Sequence, residues 1–582
     1  MDTSLRQILA RTWVGTLAAL LMNCATAEVV IEGVEGELAD NIKAHVSLAE
    51  EPCDAPRWRL VQRRKAVQQQ VNKALNAFGY YQPTLKQAYS ESDTCWQLHL
   101  AVDAGERVRL RQIRVAIGDQ QDALDAQLRD LVDAPPLRKG AALVHGDYDR
   151  YKALLLETAR TQGYWRAAFT EAELAIYPQE QAADVMLTLQ LGPRFYFGDY
   201  QFTDVGLEPQ FLRRLAGDVK GEPYTSEAVQ GIYSRLQSSD YFRRVLLNPH
   251  VDVQTDSQTV PVEVDLGMHS QTSFTAGVGY SSDQGPRVRA DYRNRYANSR
   301  GHKWRIDSLW SRTFKELGAT YTIPRHDPAR EWYEINAGLL QEDTVSYESK
   351  TETTQLRIVE ALPQDWVLNT GVNLRNETYI IGSEPEDSKL LVVPGIGLSW
   401  VNAPKDVRQT MGIRLQADLT GSSQYWLSDA DFMQLRVKSK LIVPLGAKGR
   451  LLARGELATT LKDDFADLPP SVRFYTGGDN SVRGYQYNAL GPQNDEGEVI
   501  GGSNLVVASV EYDYLFLPEW SASVFMDAGN AFDATLDLKR GVGLGLRWYS
   551  PVGPLRLDIA HPLDADDPSD RYRFHLSVGA DL

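Results

Sequence analysis

Met411-Gly412-Ile413-Arg414-Leu415-Gln416-Ala417-Asp418-Leu419-Thr420 sets an apolar residue against a polar residue or glycine at every step. Period two is the mark of a strand with two unlike faces. The pattern recurs through the second half of the chain. Met433, Leu435, Val437, Leu441 and Val443 alternate with Gln434, Arg436, Lys438 and Lys440, and Trp366, Leu368, Val372 and Leu374 with Asn369, Gly371, Asn373 and Arg375. Sixteen candidate strands follow: 272–281, 286–297, 302–312, 316–324, 331–342, 350–361, 366–378, 390–400, 410–421, 430–443, 450–461, 503–514, 519–528, 540–549, 554–561 and 571–581. An even number of strands of about ten residues suits a barrel whose tilted strands cross a hydrocarbon layer. The apolar face then meets lipid and the charged, glycine-rich face a wet lumen. A soluble sandwich would bury the apolar face against a second sheet instead. Eight of the twelve tryptophans lie in this half, as interfacial girdles require.

The remaining composition narrows the choice. The chain has 582 residues, 77 acidic and 61 basic, with a formal charge of −16. That balance excludes a nucleic-acid partner, which needs a basic face. Beyond the first 30 residues no apolar run approaches the roughly 18 of a spanning helix. The start reads as a secretory leader over residues 1–27: Arg6 and Arg11, an apolar stretch Trp13–Met22, and a small-x-small site Ala25-Thr26-Ala27, with cleavage before Glu28. Leu21-Met22-Asn23 ahead of Cys24 does not match a lipoprotein signal. Cys53 and Cys95 remain after cleavage; in an exported chain they read as a disulfide, with two free thiols as the alternative. The nine histidines are scattered, and no G-x-S-x-G, H-E-x-x-H or P-loop pattern occurs. No enzyme, metal site or cofactor is expected.

The first half repeats. Strands Leu98–Val102, Val185–Leu191 and Val260–Leu266 end at Gly105, Gly192 and Gly267, each preceded by a helix and an aromatic pair: Tyr80-Tyr81, Tyr164-Trp165 and Tyr241-Phe242. The leading tyrosines stand 84 and 77 residues apart, a domain-sized period. Val67, Val71, Ala74, Leu75 and Phe78 form one helical face, as do Val229, Ile232, Tyr233 and Leu236 after a Thr225 N-cap. Gly79 and Gly163 suit left-handed helix ends; Asp240 takes that place in the third copy. Strands Val108–Ile117 and Phe195–Phe202 open the later copies. The modules are expected at 28–105, 106–193 and 194–268, each an α+β unit ordered strand, helix, helix, strand, strand, ahead of a barrel at 269–582. The aromatic pairs are expected to cover module cores rather than to stack on a ligand.

About forty residues separate strands 450–461 and 503–514, too many for a hairpin. They carry Gly477-Gly478-Asp479-Asn480-Ser481-Val482-Arg483-Gly484-Tyr485. Val482-Arg483-Gly484-Tyr485 resembles the loop-six motif of the outer-membrane assembly-factor and two-partner-secretion superfamily. Phe525-Met526-Asp527-Ala528-Gly529 looks like that superfamily's F-x-D-x-G strand. Gly543-Leu544-Gly545-Leu546-Arg547 and Ser550-Pro551-Val552-Gly553-Pro554-Leu555-Arg556-Leu557-Asp558 are similar to its closing strands. The N-terminal modules then resemble POTRA domains. Three of them before sixteen strands is the pattern of the superfamily's TamA branch.

The resemblance implies a role. Loop six folds into the lumen and Arg483 meets Asp527, an internal latch; Arg547, Arg556 and Asp558 share the lumenal face by parity with Phe525. The first strand carries Gly277 and Gly279 and the last Gly579. Interior glycines weaken strands, and their pairing closes the barrel at a seam that the family uses as a lateral gate. The implied function is insertion of autotransporter-type and other outer-membrane proteins from the cell's outer membrane, with the modules in the periplasm. The implied partners are a TamB-like, inner-membrane-anchored protein, unfolded outer-membrane clients and outer-membrane lipid. The rivals are a two-partner-secretion exporter of one soluble substrate, and a passive porin, which has no use for three soluble modules.

Overall fold

The computed structural model describes residues 27–92, 95–118, 124–249, 258–404, 408–550, 553–565 and 572–578. The expected leader up to residue 26, and Gly579, lie outside them.

Three modules share one topology. The first runs β1 (Glu28–Glu32), α1 (Glu37–His45), α2 (Arg57–Asn76), β2 (Thr84–Glu91) and β3 (Trp96–Asp103). The second runs β4 (Arg109–Ile117), α3 (Ala126–Asp133), α4 (His145–Thr161), β5 (Ala168–Tyr177) and β6 (Ala182–Gln190). The third runs β7 (Tyr196–Phe202), α5 (Pro209–Ala216), α6 (Ser226–Ser238), β8 (Phe242–Pro249) and β9 (Thr259–Met268). In each the last strand is central, in the orders β1-β3-β2, β4-β6-β5 and β7-β9-β8. The opening strand of the first module, expected from the shared order but given no range, is β1. Its Glu28-Val29-Val30-Ile31-Glu32 is too short to show a period, yet it pairs parallel to β3 from Glu28↔Gln97 to Glu32↔Ala101.

The cores follow the periodicity. Alternate residues Trp96, Leu98, Leu100 and Val102 of β3 are buried against Val67, Val71, Ala74 and Leu75 of α2. Cys53 and Cys95 are joined, with Cα atoms 4.5 Å apart, tying the segment before α2 to the start of β3. Closing a 42-residue separation contributes on the order of 4 kcal/mol in the chain-entropy model. In the third module the Ala228 amide donates to Thr225 Oγ1 at 3.1 Å, capping α6. The third module's chain is shared between two compact units. One unit runs to Asp199 and takes in Val219–Gln230; the other holds Tyr200–Asp218, Gly231–Asn248 and the barrel.

The second half is one antiparallel sheet of sixteen strands in sequence order. These are β10 (Thr272–Ser281), β11 (Gly285–Asn294), β12 (Lys303–Trp310), β13 (Phe314–Pro324), β14 (Glu331–Asp343), β15 (Tyr347–Ala361), β16 (Trp366–Ile381), β17 (Asp387–Asn402), β18 (Gly412–Ser422), β19 (Phe432–Leu445), β20 (Gly449–Lys462), β21 (Asn504–Leu517), β22 (Trp520–Phe532), β23 (Lys539–Ser550), β24 (Gly553–Pro562) and β25 (Arg573–Val578). Outward positions are apolar and open, as at Phe274, Val278, Leu339, Leu457 and Leu544. Tryptophans gather on the outer face at the module-side strand ends, where Trp366 stacks on Trp400 at 5.6 Å and Trp520 on Trp548 at 5.8 Å.

Closure differs from the expected pairing of the first and last strands. Among the described residues β10 and β25 form no ladder. One backbone bond joins them, from Ser282 N, just past β10, to Leu576 O at 3.3 Å. Strand β10 is exposed on both faces from Phe274 to Val278. A Cβ at Gly277 would meet nothing within 4 Å, whereas one at Gly279 would lie 2.9 Å from Arg287 Nε, so the lumenal side of this strand is open at Gly277 and covered at Gly279. The sheet is a nearly closed barrel with an unladdered seam.

The aromatic pairs do more than cover cores. Tyr81 packs on the second module's core and its hydroxyl bonds His145 Nε2. Trp165 packs edge-on against Tyr224 of the third module at 5.4 Å. Tyr241 donates to Gly301 O at 2.5 Å in the barrel, under Lys303 Nζ at 3.9 Å from the ring centre. Each pair therefore ends one body and grips the next. The preceding residue is left-handed each time: Gly79 at φ +89°, Gly163 at +95° and Asp240 at +64°. At Gly79 a Cβ would also sit 2.5 Å from Leu143 O of the next module.

Burial pushes the Tyr81 hydroxyl up to about 12 and holds His145 below its ordinary 6.5, partly offset by Asp149. The neutral phenol donates and the neutral ring accepts, so protonating His145 removes the acceptor. A group depressed by folding contributes fully above its unfolded value and loses that contribution as pH falls through the folded one. Amide protection at the start of α4 is therefore expected to fall as pH drops below the ordinary 6.5, and not in His145→Gln. Hydrogen exchange measures it; equal losses in both proteins would discount the joint.

Candidate functional site

Loop six, residues 463–503, crosses the lumen and is held on several walls. On β16, the fully buried Glu377 accepts from Ser471 N at 3.2 Å and from the Ser471 hydroxyl. Past β14, Ser346 Oγ donates to Asn488 O at 2.6 Å. On β20, Arg454 Nη2 donates to Ser481 O at 2.9 Å. Within the loop, Arg473 bonds the carbonyls of Leu468, Ile500 and Ala466.

Arg483 is the deepest point. Its Nε and Nη2 form a fork with Asp527 on β22, at 2.7 Å to Oδ2 and 2.9 Å to Oδ1. Its own amide donates to the same carboxylate at 3.1 Å. Nη1 reaches Glu511 on β21 at 2.8 Å and Asp558 on β24 at 3.0 Å. The Phe525 ring lies 3.4 Å from the guanidinium carbon. Arg547 on β23 closes the network through Glu511 at 2.8 Å and through Asp558. Ser509 Oγ donates to Asp527 at 2.5 Å, and Arg454 stands 3.9 Å from it. Asp527 is completely buried. Charges this deep hold only where opposite charges and donors meet them in good geometry; three guanidinium groups face three carboxylates here.

Glycines make the room. On the lumenal face of β23, a Cβ at Gly541 would lie 2.0 Å from Arg483 O. One at Gly543 would lie 2.3 Å from the Phe525 ring, and one at Gly545 2.3 Å from Asp558 Oδ1. At Gly529 it would lie 2.6 Å from Val506 O. The glycine-rich face of these strands is the bed on which the loop rests.

The rest of the motif flanks the fork. Val482 is buried. Gly484, at φ +102°, donates to His575 Nε2 at 3.1 Å. Tyr485 donates to Arg540 O and accepts from Asp564 N, both at 3.2 Å. Arg556 is half-buried on β24 and lines the same cavity as Arg483. Gly277 and Gly279 lie on β10 at the seam, far along the chain from this network. Cys53 and Cys95 belong to the first module and take no part in it.

Sequence reasoning missed two groups. Glu511 ties Arg483 to Arg547; its signal was the run of polar residues Ser509, Glu511 and Asp513 on the inward face of a strand whose other face is apolar. A second buried cluster sits at the module-side end. Asp513 receives Arg450 Nε at 3.1 Å, Arg408 Nη2 at 2.9 Å and Tyr549 Oη at 3.2 Å. Arg450 also reaches Gln409 O, anchoring the connection between β17 and β18. The arrangement holds a loop in place.

Comparison with known proteins agrees with the fold. A model of the Omp85 superfamily domain matches residues 248–582, and one described as POTRA domain TamA domain 1 matches residues 28–104. The outer membrane protein assembly factor BamA of Nitratidesulfovibrio vulgaris is 24% identical over 395 residues, covering 62% of this chain and 48% of that protein. BamA of Neisseria meningitidis serogroup B is 21% identical over 581 residues, covering 84% and 69%. The chain thus spans about half the length of the first relative. The structure of BamA from Haemophilus ducreyi lacking POTRA domains 1–3 superposes with a TM-score of 0.67 at 18% identity, over 81% of this chain and 99% of that one. CdiB from Escherichia coli does so at 0.50 and 13%, over 89% and 97%. The family model takes in the whole barrel, and the chain belongs to the Omp85 superfamily, as an outer-membrane β-barrel with N-terminal POTRA domains.

Proposed function

We propose that this protein is a non-enzymatic insertase that assists assembly of outer-membrane proteins through its seam. The observation that carries this reading is β10, a strand of the barrel with no ladder to β25 among the described residues and with both faces open. An unpaired strand edge in a lipid-facing wall is a template on which a client strand can form backbone bonds. Gly277 leaves the lumenal side uncrowded at mid-strand. Arg483 and its carboxylates act as the latch that keeps loop six in the lumen while the seam works. The relatives named as assembly factors support this reading, as does the family.

The finer form of the proposal is a TamA-type role. Three modules, the match of the first to a TamA-type POTRA domain, and sixteen strands support it. The clients are then autotransporter-type barrels among others, and the partner a periplasm-spanning TamB-like protein that meets the modules. The second reading is a two-partner-secretion-type exporter of one soluble substrate, favoured by the likeness to CdiB. The two differ in path, sideways through the seam or along the lumen.

A cysteine pair at Ser282 and Leu576, which already share a backbone bond, locks the seam and leaves loop six untouched in sequence. Oxidation is expected to stop insertion of a barrel client into vesicles, with recovery on reduction. Export of a soluble client that continues with the seam locked would favour the second reading instead.

The latch has its own test. Removing one partner of a buried ion pair costs about 3–5 kcal/mol. Arg483→Ala and Asp527→Ala are each expected to lose about that much in urea unfolding from detergent, and the double variant far less than the sum. Arg483→Lys should not restore the wild-type value, since one ammonium cannot span Asp527, Glu511 and Asp558. Additive losses would mean that the two residues are independent lumen charges.

A further inference from the structure

Among the described residues, Asp283, Asp479 and His575 place their ligand atoms within 4.8 Å of one another. They come from three distant parts of the barrel: the β10–β11 turn, the tip of loop six and the last strand. The group has the make-up of a cation site, but its hydrogen bonds describe something else. His575 Nε2 accepts from Gly484 N at 3.1 Å, so the ring proton sits on Nδ1, which faces Asp479 Oδ1. Both ring nitrogens are already engaged.

Asp479 is the centre of the group. One carboxylate oxygen accepts from Ser281 Oγ at 3.0 Å, and the other from Ser282 Oγ at 3.0 Å and from His575. Its amide donates to Asp283 Oδ2 at 2.7 Å. Leu576 N on β25 donates back to Ser282 Oγ at 3.3 Å. A single side chain of loop six therefore reaches both sides of the seam where the backbone ladder is missing.

The double glycine ahead of Asp479 serves this contact. Gly478, at φ +99°, would carry a Cβ 2.5 Å from Asp283 Oδ2; Gly477, at +103°, would carry one 2.1 Å from Gln486 O. No residue with a side chain could let the loop tip settle this close to the turn.

We propose that the tip of loop six is the clasp of the seam. Asp479 holds the first hairpin to the last strand in place of backbone pairing, so seating the loop and closing the seam are one event. Asp479 and His575 are positioning residues; they act on strands, not on a client. The inference deepens the reading of the seam as a gate and rests on it only for its biological consequence.

The test measures the seam directly, without a client. Spin labels at Val278→Cys and Phe574→Cys, both exposed and on opposite sides of the seam, report its width in the full chain in lipid nanodiscs. Cys53 and Cys95 are bridged to each other, and Cys24 belongs to the expected leader. The clasped protein is expected to give one short distance. Asp479→Ala is expected to raise the long-distance population about tenfold, the size of losing a charge-assisted hydrogen bond. The pair Ser281→Ala with Ser282→Ala should widen the seam in the same direction, and Arg483→Ala, which frees the loop elsewhere, should do so too. Heat-modifiable migration shows which variants are folded; if Asp479→Ala is not, the serine pair decides. An unchanged distance in the folded variants overturns the clasp. A widened seam in the folded variants supports the clasp whatever client assembly does. The gate reading falls separately, if a barrel client still inserts with the seam locked by the cysteine pair at Ser282 and Leu576.

Discussion

The fork between Arg483 and Asp527 is the constraint on which the rest of the barrel is built. A guanidinium sealed from water needs its charge met and its donors filled. Five strands and the loop contribute to that: Asp527 from β22, Glu511 and Ser509 from β21, Asp558 from β24, Arg547 from β23 and Arg454 from β20. The need for space beneath the loop explains the glycines of β23, where any larger residue would strike Arg483, Phe525 or Asp558. Sequence features that look like separate motifs are parts of one packing problem.

The second buried cluster repeats the logic at the other end. Arg450 and Arg408 converge on Asp513, and Arg450 ties down the β17–β18 connection through Gln409. Two charged anchors, one for the far-side loop and one for a module-side connection, stiffen the same run of strands from β20 to β23. The seam strands β10 and β25 lie outside both networks' main partners. Rigidity is concentrated in one wall, and freedom in another.

Much of the barrel was legible because its chemistry is local. Alternation such as Met411 to Thr420 needs only neighbours in sequence, so the sixteen strands can be read off directly. Loop six was legible through its length and composition. What could not be read was long-range. Asp479 is 198 residues from Ser281 and 96 from His575, and nothing local in Asp479-Asn480-Ser481 marks a seam contact. The seam itself was expected to be paired, because alternation describes a strand's faces and not its edges. The aromatic pairs were read as core cover, since a sequence shows a corner residue but not which body it grips. The five-residue β1 was too short to carry a period at all.

Loop six touches the first and the last parts of the barrel to be synthesised. Its tip bonds the first hairpin through Ser281 and Ser282, and the final strand through His575. Contacts of such wide sequence separation form late, because the intervening chain must be ordered before they can be made. The loop therefore cannot settle in an immature barrel that lacks either end. Its seating reports completion: the protein carries an internal checkpoint on its own folding, passed only when the first and last strands stand side by side.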